Sequence, residues 1–215
     1  LAEADTGQTV AAIREKGGTA IGLGADVATA DQVDAAVERT VSELGGLDIL
    51  NNNAGVIRDN LLFKMTEDDW DTVLNVHLRG AFLCSRAAQK QMVAQKYGKI
   101  VNLSSTSARG NRGQANYSAA KAGVQGFTKT LAIELGPFGI TVNCLVPSLT
   151  ISGPVLQAYW DRMSEDSRER YLAQVALRRL PGPDEMASAL LFLCSDESSY
   201  VTGVSLDVNG GSFMA

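Results

Sequence analysis

The chain has 215 residues, of which 45% are hydrophobic and 20% are charged, and its net charge is −5. This length is enough for one domain with a full core, and the composition is that of an ordinary globular protein. The sequence contains no block of lysine and arginine and no apolar run near ~18 residues, which argues against nucleic acid binding and against a membrane-spanning helix.

The three cysteines lie far apart in apolar segments, at Cys84, Cys144 and Cys194. An odd number of cysteines without a Cys-x-x-Cys pair is typical of buried free thiols in a reducing compartment. The sequence therefore predicts a cytoplasmic protein, and it predicts no metal site.

Helical and strand patterns alternate along the chain, which predicts an α/β fold: a doubly wound, mostly parallel sheet with helices on both faces. One domain, residues 1–215, is expected. The predicted elements, in chain order, are a helix ending near 16, a strand at 20–23, a helix at 30–44, a strand at 47–50, a helix from 66 to about 96, a strand at 99–103, a helix through 117–135, a strand at 140–146, a variable region at 154–175, a helix at 183–194 and a last strand near 206–208.

Tyr117 and Lys121 are four residues apart in a predicted helix, so their side chains share one face. A phenol alone titrates near pH ~10 and is a poor acid or base at neutral pH. A nearby ammonium group favours the phenolate and is expected to lower the phenol pKa. The pair is therefore a candidate acid–base group for adding a proton to a carbonyl oxygen or removing one from a hydroxyl.

The strand predicted at 47–50 runs into Asn52-Asn53-Ala54-Gly55. Small residues at the carboxyl end of a parallel strand allow the backbone to approach a flat cofactor. Asn-Asn-Ala-Gly at this place, followed much later by Tyr-x-x-x-Lys, resembles the short-chain dehydrogenase/reductase family. The resemblance covers nearly the whole chain and implies a Rossmann-type domain that interconverts a ketone and a secondary alcohol with NAD or NADP.

The resemblance also implies further catalytic residues. The family's catalytic serine hydrogen-bonds the substrate oxygen and corresponds to Ser105, although the short loop that follows leaves Ser104 open as the alternative. Val76 to Phe82 matches a family segment in which an asparagine holds a water in a proton relay, and His77 occupies that position. An imidazole can also hold a water or pass a proton, so a relay role and a purely structural role both stay open for His77.

The cofactor contacts implied by the resemblance fall in three parts of the chain. They are Asp26 and Val27 for the adenine, Asn53, Ala54 and Gly55 with Tyr117 and Lys121 for the ribose side, and Pro147, Thr150 and Ser152 for the nicotinamide amide. The last group departs from the family pattern Pro-Gly-x-Ile-x-Thr, because Ser148, Thr150 and Ser152 replace its Gly, Ile and Thr. Two hydroxyl groups remain there to bind the amide.

Residues 153–180 correspond to the substrate lid of the family. Its Tyr159, Trp160 and Met163 either line a pocket or pack within a helix, and packing is favoured. The end of the chain, with Asn209-Gly210-Gly211, resembles the family's last strand, which lies at a subunit interface. A homotetramer is therefore expected.

The family's opening strand and its Gly-rich turn, which bind the cofactor pyrophosphate, have no counterpart before Leu50. Because the first strand lies at the centre of the doubly wound sheet, we expect the natural protein to carry a further N-terminal βαβ segment of roughly 30 residues. An intact mass of 22.8 kDa would contradict this expectation. The choice between NAD and NADP depends on that segment and stays open.

Within the family, the segment from Gly110 to Tyr117 resembles the 3-oxoacyl-[acyl-carrier-protein] reductases. This implies reduction of a 3-oxoacyl thioester carried by acyl carrier protein or coenzyme A. Another alcohol, sugar or steroid substrate is the first alternative. The second is a catalytically inactive subunit that stabilises an oligomer, which the departures at His77, Ser148 and Asn209 favour and the intact Ser, Tyr and Lys oppose. A serine hydrolase is disfavoured because no Asp–His pair accompanies Ser105.

Overall fold

The computed structural model describes residues 6–214, so the ends of the predicted domain, residues 1–5 and 215, lie outside the described residues. The helices are α1 (Gly7–Glu15), α2 (Ala30–Leu44), α3 (Glu67–Leu74), α4 (Gly80–Gln95), α5 (Ala115–Leu135), α6 (Pro154–Arg162), α7 (Glu165–Gln174) and α8 (Pro183–Cys194). The strands are β1 (Ile49–Asn52), β2 (Gly98–Leu103), β3 (Ile140–Pro147) and β4 (Ser205–Val208). Short 3-10 turns lie at Leu62–Lys64, Thr106–Arg109, Gly136–Phe138 and Asp196–Ser198.

The four strands form one parallel sheet in the order β1-β2-β3-β4. Successive residues of a strand face opposite sides of the sheet. On one side Ile100 and Val142 pack against α4 and α5, and on the other Val101 and Leu145 pack against α8. The prediction of a parallel α/β fold with helices on both faces is therefore confirmed.

The strand predicted at 20–23 is wrong. Residues 19–26 have no regular secondary structure, and no strand among residues 6–214 lies beside them to complete a hydrogen-bonded ladder. The carbonyl of Ala20 instead accepts a hydrogen bond from Nη2 of Arg14 at 2.8 Å. The strand predicted at 47–50 is shifted by two residues, because β1 begins at Ile49 and ends at Asn52.

The single helix predicted from 66 to about 96 is wrong as one continuous element. Its start is as expected, because Thr66 caps α3: its Oγ1 accepts from Asp69 N–H at 3.0 Å, and Asp69 Oδ2 accepts from Thr66 N–H at 3.1 Å. The helix is then interrupted by a π-helical segment at Asn75–Arg79 before α4 begins. Such segments insert a residue into the helical repeat and often mark functional sites.

Candidate active site

The carboxyl ends of β1, β2 and β3 lie side by side at one edge of the sheet, at Asn52, Leu103 and Pro147. This is the edge at which open parallel sheets bind their ligands. The sequence-predicted residues Asn53–Gly55, Ser104–Ser105 and Pro147 therefore lie on neighbouring strand ends. The amino-terminal half of α5 packs against the turn that follows β2 and brings Tyr117 and Lys121 to the same edge.

Tyr117 is partly buried at this edge. Burial is the main cause that raises the Tyr117 pKa above its usual value; an interaction with the Ser105 side chain opposes this, and the charge of Asp59 adds to it. The expected lowering of this pKa by Lys121 is therefore wrong for the described structure. A raised pKa keeps the phenol protonated at neutral pH, as a proton donor must be.

Lys121 is 5% exposed, and its Nζ donates to the carbonyl of Leu103 at 2.6 Å. The same Nζ lies 5.5 Å from the centroid of the Tyr117 ring. Burial lowers the Lys121 pKa to about 8, while the neighbouring Cys144 opposes that shift. The carbonyl of Leu103 thus holds the ammonium beside the phenol. With a pKa of about 8, the Lys121 amino group begins to lose its proton a little above neutral pH.

The two candidate serines point in different directions. Ser104 is 2% exposed; its Oγ donates to the Lys121 carbonyl at 2.9 Å and accepts from Gln125 Nε2 at 3.0 Å. Ser105 is half-buried, its side chain influences the Tyr117 pKa, and its Oγ accepts from Ser107 N–H at 3.1 Å. Ser105 is therefore brought next to the phenol, whereas Ser104 fastens β2 to α5.

His77 lies in the middle of the π-helical segment and is 6% exposed. Its Nε2 is 2.8 Å from Val56 O and 3.1 Å from Val56 N, so the imidazole either donates to the carbonyl or accepts from the amide. Its Nδ1 is buried without a hydrogen-bond partner among the described residues. Burial, followed by the charge of Lys121, lowers the His77 pKa to about 4, which makes the imidazole neutral near pH 7.

Gly55 is placed where a side chain does not fit. A Cβ at this position would lie 2.6 Å from Cε1 of His77. The missing side chain lets the loop after β1 cross directly over the imidazole, and Asn53, Ala54 and Gly55 are themselves exposed. Only a residue without a Cβ permits this close approach to His77.

The structure places Val27 beside the same region, while Asp26 is exposed and, within the described residues, makes only local hydrogen bonds. A small cleft is lined by Val27, Asn52, Ala54, Val76, His77 and Gly80. Val27 closely approaches Gly80, where a Cβ would lie 2.9 Å from Val27 Cγ2. The Asp26 carboxylate is used locally, since Oδ1 accepts from Ala28 N–H at 2.9 Å and Oδ2 from Thr29 Oγ1 at 3.2 Å.

The residues predicted to bind the nicotinamide amide follow β3. Thr150 Oγ1 donates to Ser148 O at 3.1 Å, and Ser152 is exposed. The loop is attached to the predicted lid, because Leu149 N–H donates to the Tyr171 hydroxyl at 3.2 Å.

In the predicted lid, Trp160 and Tyr159 have different surroundings. Trp160 packs edge-on against Tyr171, with ring centroids 5.9 Å apart, while Tyr159 is 52% exposed. Packing within the lid therefore accounts for Trp160, and Tyr159 faces solvent.

Asn116, which comes directly before Tyr117, was not among the residues predicted from the sequence. Asn116 is fully buried, and its Nδ2 donates to Arg58 O and to Asp69 O, both at 2.9 Å. Its Oδ1 accepts from Tyr117 N–H at 2.8 Å. It thereby fixes the start of α5 against the loop after β1. An amide among the small residues around the Tyr–Lys pair was the available signal.

No helix within residues 6–214 is long and apolar enough to cross a membrane. In the same part of the chain, no group of three or more His, Cys, Asp and Glu side chains could hold a metal ion. The cysteines at 84, 144 and 194 are all free thiols.

Comparison with known proteins identifies the family. A family model described as enoyl-(acyl carrier protein) reductase matches residues 1–212. The short-chain reductase protein NovJ of Streptomyces niveus is 45% identical over 213 residues, which are 97% of this chain and 80% of that protein. The 3-oxoacyl-[acyl-carrier-protein] reductase FabG of Staphylococcus aureus is 44% identical over 203 residues, 94% of this chain and 80% of the relative.

A third relative acts on a different kind of molecule by its name. The (2S)-[(R)-hydroxy(phenyl)methyl]succinyl-CoA dehydrogenase subunit BbsD of Thauera aromatica is 44% identical over 203 residues, again 94% of this chain and 80% of the relative. The matched family model and these identities confirm the resemblance seen in the sequence. The chain belongs to the short-chain dehydrogenase/reductase family and is an oxidoreductase.

Proposed function

We propose that this protein reduces the ketone of a 3-oxoacyl thioester to a secondary alcohol with NADPH or NADH. The observation that carries the proposal is the convergence of three side chains at one edge of the sheet. The Ser105 side chain lies close enough to Tyr117 to influence its pKa, and Lys121 Nζ lies 5.5 Å from the Tyr117 ring centroid. This set can bind a carbonyl oxygen and give it a proton.

Tyr117 is the proposed general acid. Its raised pKa keeps the hydroxyl protonated near pH 7, so it can pass its proton to the oxygen as that oxygen becomes negative. Ser105 donates a second hydrogen bond to the same oxygen and polarises the carbonyl. The positive charge of Lys121 stabilises the phenolate that remains after the proton has left.

His77 is proposed as a neutral positioning residue and not as a charged relay. An imidazole whose pKa is about 4 is neutral at pH 7, so it has no additional proton to give up. Its bond to Val56 fixes the loop after β1, and its buried Nδ1 retains one hydrogen-bonding position that a water or a ligand can fill.

The family supports a nicotinamide cofactor. Asn53, Ala54 and Gly55 are exposed just after β1, at the edge where open parallel sheets bind their ligands. Residues Asn53 to Gly55, Tyr117 and Lys121 would hold the ribose side, Asp26 and Val27 the adenine, and Pro147, Thr150 and Ser152 the amide. When bound, the reduced nicotinamide supplies the hydride that reaches the carbonyl carbon.

The substrate class is proposed from the relatives' names. One is a 3-oxoacyl-[acyl-carrier-protein] reductase and another a coenzyme A thioester dehydrogenase. A thioester of acyl carrier protein or of coenzyme A is therefore the proposed substrate, and a homotetramer in the cytoplasm is the proposed assembly and location. The free cysteines agree with a reducing compartment.

The proposal is tested by measuring acetoacetyl-CoA reduction with NADPH and with NADH, on protein expressed from the complete reading frame. Tyr117→Phe is the matched variant, because it removes only the hydroxyl. We expect turnover with one preferred nicotinamide and a loss of at least roughly 100-fold in Tyr117→Phe. Nicotinamide fluorescence should still be quenched by the variant, because the other proposed ribose contacts remain.

Other outcomes would redirect the assignment. Nicotinamide binding without turnover of any 3-oxoacyl thioester would contradict the substrate class and favour another alcohol, sugar or steroid. Absence of nicotinamide binding would contradict the enzymatic proposal and favour an inactive subunit of an oligomer. Full activity in Tyr117→Phe would refute the role of the phenol.

A further inference from the structure

The turn that carries Ser105 is fastened to the end of the chain. It runs as a 3-10 turn from Thr106 to Arg109. The guanidinium of Arg109 makes two parallel hydrogen bonds to the carboxylate of Asp207 in β4. The Nη1–Oδ1 distance is 2.9 Å and the Nη2–Oδ2 distance is 2.6 Å. A bidentate pair of this kind fixes orientation as well as distance.

The carboxylate of Asp207 is itself held from a second direction. Asn209 Nδ2 donates to Asp207 Oδ1 at 3.2 Å and to Phe213 O at 3.1 Å. The Arg109 guanidinium also lies over the Phe213 ring, 5.3 Å from its centroid. Arg109 therefore joins the turn after β2 to both β4 and the segment that follows it.

The position of this pair sets it apart from an ordinary surface ion pair. The side chains of Arg109 and Asp207 are 34% and 21% exposed, whereas those of the similar bidentate pair Arg179–Glu185 are 55% and 46% exposed. Partial burial reduces the solvent screening that makes most exposed pairs weak. The Arg179–Glu185 pair, which lies at the start of α8, is thus a control of the same chemistry in a different place.

Local hydrogen bonds hold together the turn that contains both Ser105 and Arg109. Ser107 N–H donates to Ser105 Oγ at 3.1 Å, Ala108 N–H donates to Ser105 O at 3.0 Å, and Gly110 N–H donates to Ser107 O at 3.0 Å. The turn is one compact unit, so a rotation at Arg109 moves Ser105 with it. The turn packs against α5, which carries Tyr117, and the Ser105 side chain influences the Tyr117 pKa.

We propose that Arg109 and Asp207 are positioning residues that hold the Ser105 hydroxyl against Tyr117 and so set the rate of proton transfer. The proposal rests on the proposed function. Neither side chain touches the reacting atoms, and both act through the turn that begins at Ser105. Weakening the Arg109–Asp207 contact is expected to leave nicotinamide binding intact and to slow the chemical step, because a small displacement of an oriented catalytic group lowers the reaction rate.

The first test uses Arg109→Lys, which keeps the charge and loses the two-point contact with Asp207. Its control for activity is Arg39→Lys, in the exposed Arg39–Glu43 pair of α2. We expect kcat to fall about tenfold in Arg109→Lys, with the KM for nicotinamide unchanged, and to stay at the wild-type value in Arg39→Lys. Asp207→Asn should give the same loss, and the double variant Arg109→Lys/Asp207→Asn should lose no more than either single variant.

A Ser105→Ala background separates positioning from general stability. If Arg109 acts through Ser105, adding Arg109→Lys to Ser105→Ala leaves the residual kcat unchanged. A further tenfold fall in that background would overturn the proposal, as would wild-type kcat in Arg109→Lys.

A third measurement does not depend on activity. Hydrogen exchange of the amides in residues 106–110 is expected to be about tenfold faster in Arg109→Lys than in wild type and unchanged in Arg179→Lys. If the wild-type protein reduces no 3-oxoacyl thioester, the proposed substrate is wrong, but this measurement still shows whether Arg109 restrains the turn. Equal exchange in Arg109→Lys and wild type would overturn the proposal that Arg109 holds the turn in place.

Discussion

The imidazole of His77 meets the phenol ring of Tyr117 edge to face, with ring centroids 5.1 Å apart and an interplanar angle of 87°. The same imidazole is bound through Nε2 to the backbone of Val56. One buried side chain thus connects the loop after β1 with the proposed general acid on α5. A change in the loop that displaces the imidazole is therefore expected to reach Tyr117.

The first prediction concerns Gly55→Ala. The added Cβ would lie 2.6 Å from Cε1 of His77, so either the imidazole or the loop must move. We expect a destabilisation of about 1–3 kcal/mol and a fall of about tenfold or more in the reduction rate. Urea denaturation and acetoacetyl-CoA turnover measure the two effects.

Gly126→Ala is the control for this substitution. Gly126 lies inside α5, and a Cβ there would meet no atom within 4 Å. Alanine in a helix interior stabilises by about 0.5–1 kcal/mol relative to glycine, so this variant should be slightly more stable and fully active. Unchanged turnover in Gly55→Ala would show that the contact with His77 does not matter to the reaction.

The second prediction follows from the low pKa of His77. Burial lowers that pKa from 6.5 to about 4 in the folded protein. Between these two values the unfolded chain binds the proton and the folded chain does not. The free energy of unfolding is therefore highest above pH 6.5. It decreases as the pH falls towards 4, by a total of about 3 kcal/mol. Denaturation curves at pH 7 and pH 4.5 measure most of this loss.

His77→Gln is the matched variant, because it keeps a polar group of similar size without a titrating imidazole. Every carboxylate titrates in both proteins, so the difference between their pH dependences isolates the histidine. We expect the variant to lose about 2 kcal/mol less than wild type between pH 7 and pH 4.5. Identical losses in the two proteins would place the His77 pKa near its ordinary value.

Sequence patterns predicted the fold where periodicity alone determines it. The apolar runs of β2 and β3 and the long Tyr–Lys helix were recognisable because local propensity and burial agree there. The predicted strand at 20–23 failed because a strand needs a neighbour, and an apolar run carries no information on pairing. The π-helical segment was missed because one additional residue per turn leaves the apolar pattern of its flanks nearly unchanged.

The candidate site was predicted with the same mixture of success and failure. A fixed spacing placed Tyr117 and Lys121 together, since i and i+4 share a helix face. The pKa of Tyr117 was harder to predict: the Tyr–Lys spacing predicts a lowered pKa, whereas the structure has a raised one because burial outweighs the opposing effect of Ser105. The contact between Arg109 and Asp207 spans 98 residues and follows from the sheet order, which spacing does not encode.

The third prediction separates the two serines. Ser104→Ala removes a buried hydroxyl that bonds Lys121 O and Gln125 Nε2, so we expect a loss of about 1–3 kcal/mol in the free energy of unfolding and only a small change in rate. Ser105→Ala should behave in the opposite way, with near wild-type stability and a rate lower by roughly 100-fold. Both variants are compared by urea denaturation and by turnover. The reverse pattern would assign the catalytic hydroxyl to Ser104.

The fourth prediction concerns the buried charge of Lys121. Its folded pKa of about 8 lies below the ordinary 10.5, so the ammonium is destabilising in the folded state below pH 8, and stability rises as the pH increases from 8 to 10.5. Lys121→Met replaces the charge with a side chain of similar length. We expect the variant to gain about 1–2 kcal/mol at pH 7 even though the bond to Leu103 O is lost.

The same variant should lose most of its activity, because the phenolate formed at Tyr117 would no longer face a positive charge. A more stable but inactive protein would mean that the charge is retained for the reaction at a cost in stability. Thermal unfolding at pH 7 and pH 9.5, with turnover at pH 7, measures both parts. Lower stability in Lys121→Met at pH 7 would contradict the prediction, since it would make the hydrogen bond to Leu103 O more important than the desolvation of the ammonium.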